Sequence, residues 1–428
     1  MPEVFHDVAC TICGCVCDDL RVTVDRGRIV EAVGACHLAE PWLLEQNALH
    51  PAAAKITGRS VPVERAIAKA AELLARAQAP LIYGLSRSST AGQRAAVRLA
   101  DRLGATIDTT ASGCHAPSIM ALQEVGESTC TLGEIRNRAD LVIYWGADPL
   151  ESHPRHLERY SADPAGLFVP EGRAGRRLVV VDVHPTATSA LADHFIQVQP
   201  GRDFELLWAL RAAVQQQEFA LGGSVAVARE QVEQLASLMR SCRCGVVFFG
   251  LGLTKRILGH RSVEALLRLV TELNAFTRFH ARRMRIPGDV AGADSVLAWQ
   301  TGFPFAVNLA RGYPRYEPLE YSAAEILSRR EADACVLVGS EGVDNLPAAA
   351  VEHLHRIPTV VLDYPSVARR LEATVEFTTA VYGVHASGTA YRMDEVPIPL
   401  TAVLETEYPT DEAILTQIAA AMAAPGEC

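Results

Sequence analysis

Short, continuous apolar segments that end on Gly or Asp recur along the chain, and they predict strands buried on both faces. The predicted strands are residues 80–84, 141–146, 178–182, 246–250, 335–339 and 360–363. The predicted helices, in which apolar residues lie three and four positions apart, are residues 63–77, 91–103, 204–216 and 262–273. This alternation is typical of βαβ units and an open parallel sheet.

The two halves of the chain resemble each other. Residues 139–148, followed by Asp182, are similar to residues 332–341, followed by Asp363. The sequence therefore predicts an α/β fold with two similar doubly wound open-sheet domains, preceded by a small cysteine-bearing β-hairpin domain. The predicted domains are the small hairpin domain at 1–55, the first part of an α/β domain at 56–135, the α/β domain of the first half at 136–240, and the second α/β half at 241–428.

Four cysteines near the N-terminus have a spacing that favours an iron–sulfur cluster. Cys10, Cys13 and Cys17 lie close together, and eighteen residues separate Cys17 from Cys36. Residues 18–24 and 29–33 are predicted to form a hairpin whose ends meet, which would bring Cys36 beside Cys17. A cubane needs four thiolates that converge on one point, so we expect these four cysteines to hold a 4Fe-4S cluster.

The cysteine segment also permits a zinc site, simple burial of the thiols or, in a secreted chain, disulfides. A C-x2-C pair can hold zinc, although a second such pair or an H-x3-H does not follow. Cys15 is a spare thiol within the same segment. The spacing favours the cluster over these alternatives but does not eliminate them.

The loops after the predicted strands are suited to phosphate groups. Gly146 and Asp148 follow one strand, and Gly250, Gly252 and Thr254 follow another. Nucleotides bind to such loops at the carboxyl ends of parallel strands. Each Gly can also be only a tight turn, but together the loops predict a long phosphate-bearing ligand.

A cysteine in a strand-to-helix turn is the second informative feature. Cys114 and His115 follow a short predicted strand at 105–108 and precede a helix that begins near Ser118. A thiol in such a turn can be a metal ligand, although a lone cysteine is more often a small buried hydrophobe. A cysteine-protease site is disfavoured, because the His of such a site is positioned in space by Asn or Asp and not by sequence adjacency.

Three further segments have a composition that suits ligands or partners. Residues 282–285 form the densest basic cluster and suit a phosphate or carboxylate. Residues 301–318 interleave Arg with Tyr, and we expect an interface or ligand loop there. Gly388 and Thr389 lie in a segment of small residues where a backbone can approach a ligand closely.

Charge and composition exclude several classes of protein. The 428 residues are 49% hydrophobic and carry a net charge of −10, with no long basic segment, so nucleic acid is not an expected partner. No apolar stretch is long enough for a membrane helix, and the first seven residues do not resemble a signal peptide. We therefore expect a cytoplasmic protein, in which disulfides are disfavoured.

Taken in order, these segments resemble the B subunit of formylmethanofuran dehydrogenase, a short member of the molybdopterin oxidoreductase family. The resemblance extends over nearly the whole chain and depends on the cysteine segment 10–36 and on residues 111–118, 126–153, 250–274, 302–318 and 383–397. It implies reversible interconversion of carbon dioxide and formate in one-carbon metabolism. The formate would pass to an amidohydrolase-like subunit and a methanofuran-type carrier.

The resemblance also implies roles for individual residues. Cys10, Cys13, Cys17 and Cys36 correspond to ligands of a 4Fe-4S cluster, through which electrons would leave. Cys114 would ligate molybdenum or tungsten held by bis-molybdopterin guanine dinucleotide, with His115 and Arg285 next to the metal. Arg285 would hold formate and His115 could move a proton. The expected cofactor-binding residues are Gly146, Asp148, Asp182, Gly250, Gly252, Thr254, Gly388 and Thr389. The expected partners are A-, C- and pterin-capping D-type subunits, since in the family that the chain resembles a separate small subunit caps the pterin.

Several positions depart from the family pattern. No Lys follows Cys36 within the segment 36–42, where relatives commonly have one that bridges cluster and pterin. Asp148 stands where Asn is usual, and no Arg follows Asp182. These changes support a second hypothesis, in which the chain is a cofactor-poor structural subunit of the bacterial formyltransferase/hydrolase complex of formaldehyde oxidation via tetrahydromethanopterin.

Overall fold

A computed structural model describes residues 1–255, 258–368 and 370–422. The strands in this part of the chain are β1 (Glu3–Val8), β2 (Leu20–Asp25), β3 (Arg28–Val33), β4 (Ala54–Ile56), β5 (Arg59–Ser60), β6 (Pro80–Gly84), β7 (Thr106–Thr109), β8 (Leu141–Trp145), β9 (Arg177–Asp182), β10 (His194–Gln197), β11 (Cys244–Phe249), β12 (Arg278–Arg283), β13 (Val307–Asn308), β14 (Arg315–Tyr316), β15 (Ala334–Val338), β16 (Thr359–Asp363), β17 (Val375–Thr378), β18 (Gly388–Tyr391) and β19 (Pro397–Leu400).

The helices in the same residues are α1 (Ala39–Leu44), α2 (Val63–Arg76), α3 (Thr90–Leu103), α4 (Ala116–Val125), α5 (Leu132–Arg138), α6 (Pro149–Ser152), α7 (His156–Tyr160), α8 (Asp203–Val214), α9 (Arg229–Ser241), α10 (Leu251–Thr254), α11 (Gly259–Leu273), α12 (Val290–Thr301), α13 (Pro318–Tyr321), α14 (Ala323–Ser328), α15 (Ala348–Leu354) and α16 (Asp411–Ala421). None of these helices has the length and apolar character needed to cross a membrane.

The chain divides into two compact units. Unit 1 contains Met1–Gly113 and Ile286–Cys428, and unit 2 contains Cys114–Arg285. Unit 1 is thus discontinuous in sequence. The predicted boundaries at 55, 135 and 240 divide the chain into domains that are each continuous in sequence. They do not include a domain formed by two distant segments, because a hydrophobic pattern does not show which distant strands will pair.

Unit 2 is built on a five-stranded parallel sheet in the order β10-β9-β8-β11-β12. The residues of β8 and β11 are buried throughout, as expected of strands covered on both faces. Apolar side chains of α8, α9 and α11 pack with those of the sheet in one core. Because all five strands are parallel, the carboxyl ends of β8, β9, β11 and β12 lie at one edge, where a ligand site is expected.

Unit 1 contains a nine-stranded sheet in the order β14-β13-β7-β6-β15-β16-β17-β4-β5. Its five central strands, β7 to β17 in that order, are parallel. Antiparallel strands extend it at both ends. The pairs β8–β9 and β15–β16, which contain parts of the two similar segments, are both parallel.

The cysteine segment belongs to a separate three-stranded antiparallel sheet in unit 1, in the order β1-β2-β3. Strands β2 and β3 form the predicted hairpin, with Asp25 opposite Arg28 at the turn. The predicted strands and helices of both units are present with shifts of a few residues at their ends. The predicted hairpin and the mixed α/β character of the chain are confirmed, and the arrangement as two similar doubly wound domains after a separate hairpin domain stays a prediction.

The Arg- and Tyr-rich segment 301–318 contributes to the sheet of unit 1. Strands β13 and β14 lie at its edge, where the Arg315 guanidinium donates to Asn308 Oδ1 at 2.5 Å. Tyr316 stacks on Phe303, with 5.0 Å between ring centroids. These contacts give the segment a packing role, while Tyr313 remains 53% exposed and available to a partner.

Candidate functional site

Cys114 is the first residue of unit 2 and lies just before helix α4. Its backbone carbonyl accepts a hydrogen bond from Thr254 Oγ1 at 3.0 Å. Thr254 ends the short helix α10, which follows the carboxyl end of β11. The structure therefore brings two predicted site residues, Cys114 and Thr254, into contact at the edge of the sheet where ligands are expected.

His115 is buried and held by the segment after β12. Its Nε2 lies 3.1 Å from the carbonyl oxygen of Met284, to which it donates. Its Nδ1 lies 3.4 Å from Ser118 Oγ. Burial is the main cause that holds the His115 pKa well below its usual value, and the charges of Arg285 and Arg283 lower the pKa further. His115 is therefore a neutral imidazole with its Nε2 proton committed to the backbone.

Arg285 lies beside His115, and its side chain is 2% exposed. Its backbone oxygen accepts a hydrogen bond of 2.9 Å from His153 Nε2, so His153 holds the same segment that His115 holds at Met284. No role was predicted for His153, although it ends the segment 126–153 that carries the family resemblance. Cys114, His115 and Arg285 thus belong to one unit, and the charge of Arg285 acts on His115.

The neighbouring arginines of the predicted basic cluster have protein partners. Arg283 pairs with Glu127 at 3.2 Å, and both side chains are buried. Arg282 donates to Thr129 Oγ1 at 2.7 Å. Two arginines of the cluster at 282–285 thus bind the segment 127–129. The third, Arg285, lies at the candidate site.

We predict that replacing His153 with Gln reduces the acid sensitivity of the protein. Burial lowers the His153 pKa to about 4, so the stability that its neutral form contributes is present above about pH 6.5 and is lost as the pH falls towards 4. Between pH 7.5 and 5 this loss amounts to roughly 2 kcal/mol for the native histidine. Gln keeps a donor for Arg285 O but does not titrate, and denaturant unfolding at the two pH values measures the difference. If the free energy of unfolding changes with pH by the same amount in both proteins, His153 is not the group that causes the acid sensitivity.

The glycines at the ends of β8 and β11 allow two backbone segments to touch. Gly146 has φ of +57°, in the left-handed region. Gly252 N donates to Gly146 O at 3.1 Å, and Gly250 N donates to Trp145 O at 3.1 Å. A Cβ on Gly252 would lie 2.8 Å from Gly146 Cα. Close backbone approach therefore accounts for all three glycines, and their expected contact with a cofactor stays a prediction.

We predict that Gly252→Ala destabilises unit 2 by about 1–3 kcal/mol, the usual cost of overpacking. The added methyl group would meet backbone atoms of Gly146, which cannot rotate away as a side chain can. Gly133→Ala is the matched control, because its Cβ would meet only Thr131 Oγ1 at 3.7 Å. Thermal unfolding should show a lower midpoint for Gly252→Ala alone, and equal midpoints would contradict the prediction.

Asp148 and Asp182 make contacts within unit 2. The Asp148 carboxylate accepts hydrogen bonds from Ala187 N at 3.2 Å and from Thr188 Oγ1 at 2.5 Å. Asp182 Oδ1 accepts one from Val183 N at 2.7 Å. The negative charge of Asp148 therefore ties together the loops after β8 and β9, which gives a structural reason for Asp at this position.

Gly388 and Thr389 belong to the hairpin β18–β19 of unit 1, and not to the unit that contains Cys114. The carbonyl oxygen of Thr389 accepts a hydrogen bond from Thr90 Oγ1 at 3.0 Å. Asp289 also holds this hairpin, because its Oδ1 accepts from Tyr391 N at 2.6 Å. The segment is anchored to α3 and to the start of α12.

The four N-terminal cysteines come together in unit 1. Cys10 N donates to Cys17 O at 2.8 Å, which closes the loop that carries three of them. Burial raises the Cys10 pKa well above its usual value, and the charges of Cys13, Cys17 and Cys36 raise it further. The hairpin therefore brings Cys36 close enough for its charge to act on Cys10, and the shared cluster stays a prediction.

The thiols do not form a ready-made ligand set. Within the described ranges, no group of three or more His, Cys, Asp or Glu side chains could hold a metal ion as the side chains stand. Cys15, also buried, forms side-chain hydrogen bonds with Cys13 and Cys17. The backbone thus gathers the cysteines, while their side chains would have to turn to share one cluster.

A crevice of about 120 Å³ opens at the carboxyl ends of β15 and β16 in unit 1. Asp363 lies in it and accepts hydrogen bonds from Ser340 N at 2.7 Å and from Ser340 Oγ at 2.6 Å. Lys55 and Arg370 also line it, and they pair with Glu376 at 3.5 Å and with Asp344 at 2.8 Å respectively. The sequence signal was the Gly339 loop followed by Asp363, which repeats the pattern of Gly146 and Asp182.

Comparison with solved structures defines the class of the fold. A chain of the formyltransferase/hydrolase complex from Methylorubrum extorquens, solved with methylofuran, superposes with a TM-score of 0.73 at 25% identity, covering 86% of this chain and 98% of that chain. Acetylene hydratase from Pelobacter acetylenicus superposes with a TM-score of 0.71 at 12% identity, covering 98% of this chain and 69% of that chain. The protein therefore has the mixed α/β fold that these two structures share.

Relatives found by sequence comparison identify the family of the chain. The B subunit of tungsten-containing formylmethanofuran dehydrogenase 2 from Methanocaldococcus jannaschii is 38% identical over 419 residues, which are 95% of either chain. The protein of the same name from Methanococcus maripaludis is 37% identical over 410 residues, 94% of either chain. The chain belongs to the family of formylmethanofuran dehydrogenase B subunits. The B subunit of the Methylorubrum extorquens formyltransferase/hydrolase complex is also similar, at 28% identity over 67% of this chain and 75% of its own. No family model matches the sequence.

Proposed function

We propose that this chain is the redox subunit of a formylmethanofuran dehydrogenase complex and interconverts carbon dioxide and formate at a molybdenum or tungsten bis-pterin site. The observation that carries the proposal is the 38% identity, over 95% of the chain, to a subunit named as tungsten-containing. The position of Cys114, His115 and Arg285 in unit 2, where the charge of Arg285 acts on His115, supports it, because the family resemblance implies these three residues at the metal.

The residues present suit a metal bound by pterin. Cys114 supplies a soft thiolate ligand of the kind that suits such a metal, and the contact from Thr254 fixes its backbone. The crevice at Asp363 in unit 1 and the loops at Gly146 and Asp182 in unit 2 lie at carboxyl ends of parallel strands, where nucleotides bind. The bound group would supply the two-electron chemistry of formate oxidation and carbon dioxide reduction.

The protein's own residues bind and orient the small anionic substrate. Arg285 is a permanent cation whose guanidinium can hold a carboxylate by two parallel hydrogen bonds. Its burial makes that interaction stronger than it would be in water. His115 and His153 position the Arg285 segment through Met284 O and Arg285 O. The proton-transfer role expected for His115 stays a prediction. Its hydrogen bond to Met284 O supports a role in positioning the segment that carries Arg285.

Cys10, Cys13, Cys17 and Cys36 would hold a 4Fe-4S cluster. Burial first, and then the charges of the other thiolates, destabilise the Cys10 thiolate in the absence of a counter-charge, and binding to iron offsets that cost. The donor set therefore suits the cluster in chemical type and in number. A partner subunit that accepts formate, together with a methanofuran-type carrier, completes the reaction in this proposal.

A second candidate is a structural subunit in a complex that transfers and hydrolyses formyl groups without oxidising them. The likeness to the formyltransferase/hydrolase complex chain favours it, since 98% of that chain superposes. The sequence identity to the B subunit of that complex is lower, at 28% over 67% of this chain, against 38% over 95% for the dehydrogenase subunit. We therefore place the redox function first.

Formate oxidation by the purified complex with an artificial one-electron acceptor separates the two candidates. The redox proposal predicts turnover of formate to carbon dioxide and reduction of the acceptor. Transfer and hydrolysis of formyl groups with no acceptor reduction, in material prepared without oxygen, would exclude it in favour of the second candidate.

A further inference from the structure

Arg87 is a partly buried cation that reaches the cysteine loop of unit 1. Its side chain is 17% exposed. Its Nη1 donates to Thr11 O at 3.1 Å and to Ile12 O at 3.3 Å. These two carbonyls belong to the residues that separate Cys10 from Cys13, so the guanidinium is attached to the loop at the point where it carries two cysteines.

Arg87 also forms an ion pair on its other side. Its Nε donates to Glu341 Oε2 at 2.7 Å. Glu341 belongs to the loop after β15, and the Glu341 side chain is 35% exposed. The backbone oxygen of Arg87 accepts a hydrogen bond from Tyr364 Oη at 2.5 Å. The residue is thus fixed both at the cysteine loop and at the carboxyl ends of β15 and β16.

The surroundings of Arg87 are acidic. A small cavity at these strand ends is lined by Arg87, Glu341, Asp363 and Asp411, among other residues. In the described part of the chain, Arg87 is the single cationic side chain on that lining. The Arg87 guanidinium therefore lies between the carboxylate of Glu341 on one side and the cysteine loop on the other. The thiols of that loop would be thiolates when they bind iron.

We propose that Arg87 is a positioning and charge-setting residue for the cluster that the cysteine loop would hold, and that Glu341 offsets its effect. This proposal rests on the proposed function, which assigns the cluster to Cys10, Cys13, Cys17 and Cys36. Reduction adds one negative charge to the cluster, and a nearby cation stabilises that state, so Arg87 raises the reduction potential. Glu341 lowers it by the same reasoning.

Two charge-removing variants test the proposal because their expected effects have opposite sign. In the assembled complex, Arg87→Gln should shift the cluster midpoint potential to a more negative value, and Glu341→Gln should shift it to a less negative value. Arg87→Lys keeps the charge, so we expect it to shift the cluster midpoint potential less than Arg87→Gln does. The potentials are measured by redox titration followed by electron paramagnetic resonance, with iron per chain determined for each variant.

Arg211→Gln is the matched control. Arg211 forms a similarly buried ion pair with Glu272, at side-chain exposures of 14% and 23%, but belongs to unit 2. Its removal should leave the potential unchanged. If the wild type contains iron and the Arg87 and Glu341 variants keep its potential, or shift it in the same direction, this proposal is wrong while the cluster assignment stands. A wild-type complex without iron would overturn the cluster assignment and this proposal with it.

Discussion

Replacing Cys114 with Ser is expected to lower formate oxidation by the complex on the order of a thousandfold, as losses of groups that act in the transition state do. A serine hydroxyl is a hard, protonated donor and does not replace a soft thiolate on molybdenum or tungsten. The fold should survive, because the Cys114 contact with Thr254 is made by its backbone oxygen, which Ser retains. Steady-state turnover with an artificial acceptor measures the loss.

Cys242→Ser is the control for this substitution. Cys242 is a half-buried thiol of unit 2 whose Sγ donates to Met239 O at 3.2 Å, a bond that a hydroxyl can also form. We expect turnover close to that of the wild type. If Cys114→Ser also keeps wild-type turnover, Cys114 is not a working metal ligand and the site assignment in unit 2 is wrong.

Replacing Asp108 with Asn is expected to destabilise unit 1 by about 3 kcal/mol. Asp108 is fully buried near the carboxyl end of β7. Its Oδ1 accepts from Thr109 N and Ala306 N, each at 2.9 Å, and its Oδ2 accepts from Ala323 N at 2.7 Å and Ser112 Oγ at 2.6 Å. In Asn, an NH2 group replaces one of the two carboxylate oxygens. That NH2 group would face the N–H and O–H donors that the oxygen accepted from, and these donors would have no acceptor.

Asp101→Asn provides the comparison, since Asp101 is exposed on α3 and should change stability by no more than about 0.5 kcal/mol. Denaturant unfolding at one pH gives both values. Burial raises the Asp108 pKa to about 6, so the measurement belongs near pH 7.5, where the carboxylate is ionised. Equal stability of the two variants would show that the four hydrogen bonds do not hold β7 to its neighbours.

The regular elements could be predicted because each has a local signature. The apolar runs that form β8 and β11 are buried at every residue. The discontinuous unit 1 could not be predicted, because it depends on pairing between β6 and β15, which are about 250 positions apart in sequence. Hydrophobic pattern specifies that a strand is buried but does not specify its neighbour.

The roles at the candidate site were expected only because a family resemblance supplied them. Cys114, His115 and Arg285 all lie in unit 2, and their roles at a metal stay a prediction. Arg87 and His153 were missed, since a single Arg or His in a loop carries no pattern until its partners are known. Arg87 lies three residues after Gly84, the last residue of β6, so its place at a strand end was the one available signal.

Analysis of the purified complex for iron, tungsten, molybdenum and pterin decides whether this chain carries a redox site. We predict about four iron atoms for each copy of this chain, together with tungsten or molybdenum and pterin guanine dinucleotide. A complex prepared without oxygen that contains neither the metal with its pterin nor the iron would contradict this prediction, and would leave the chain as a structural subunit with the fold of a redox protein.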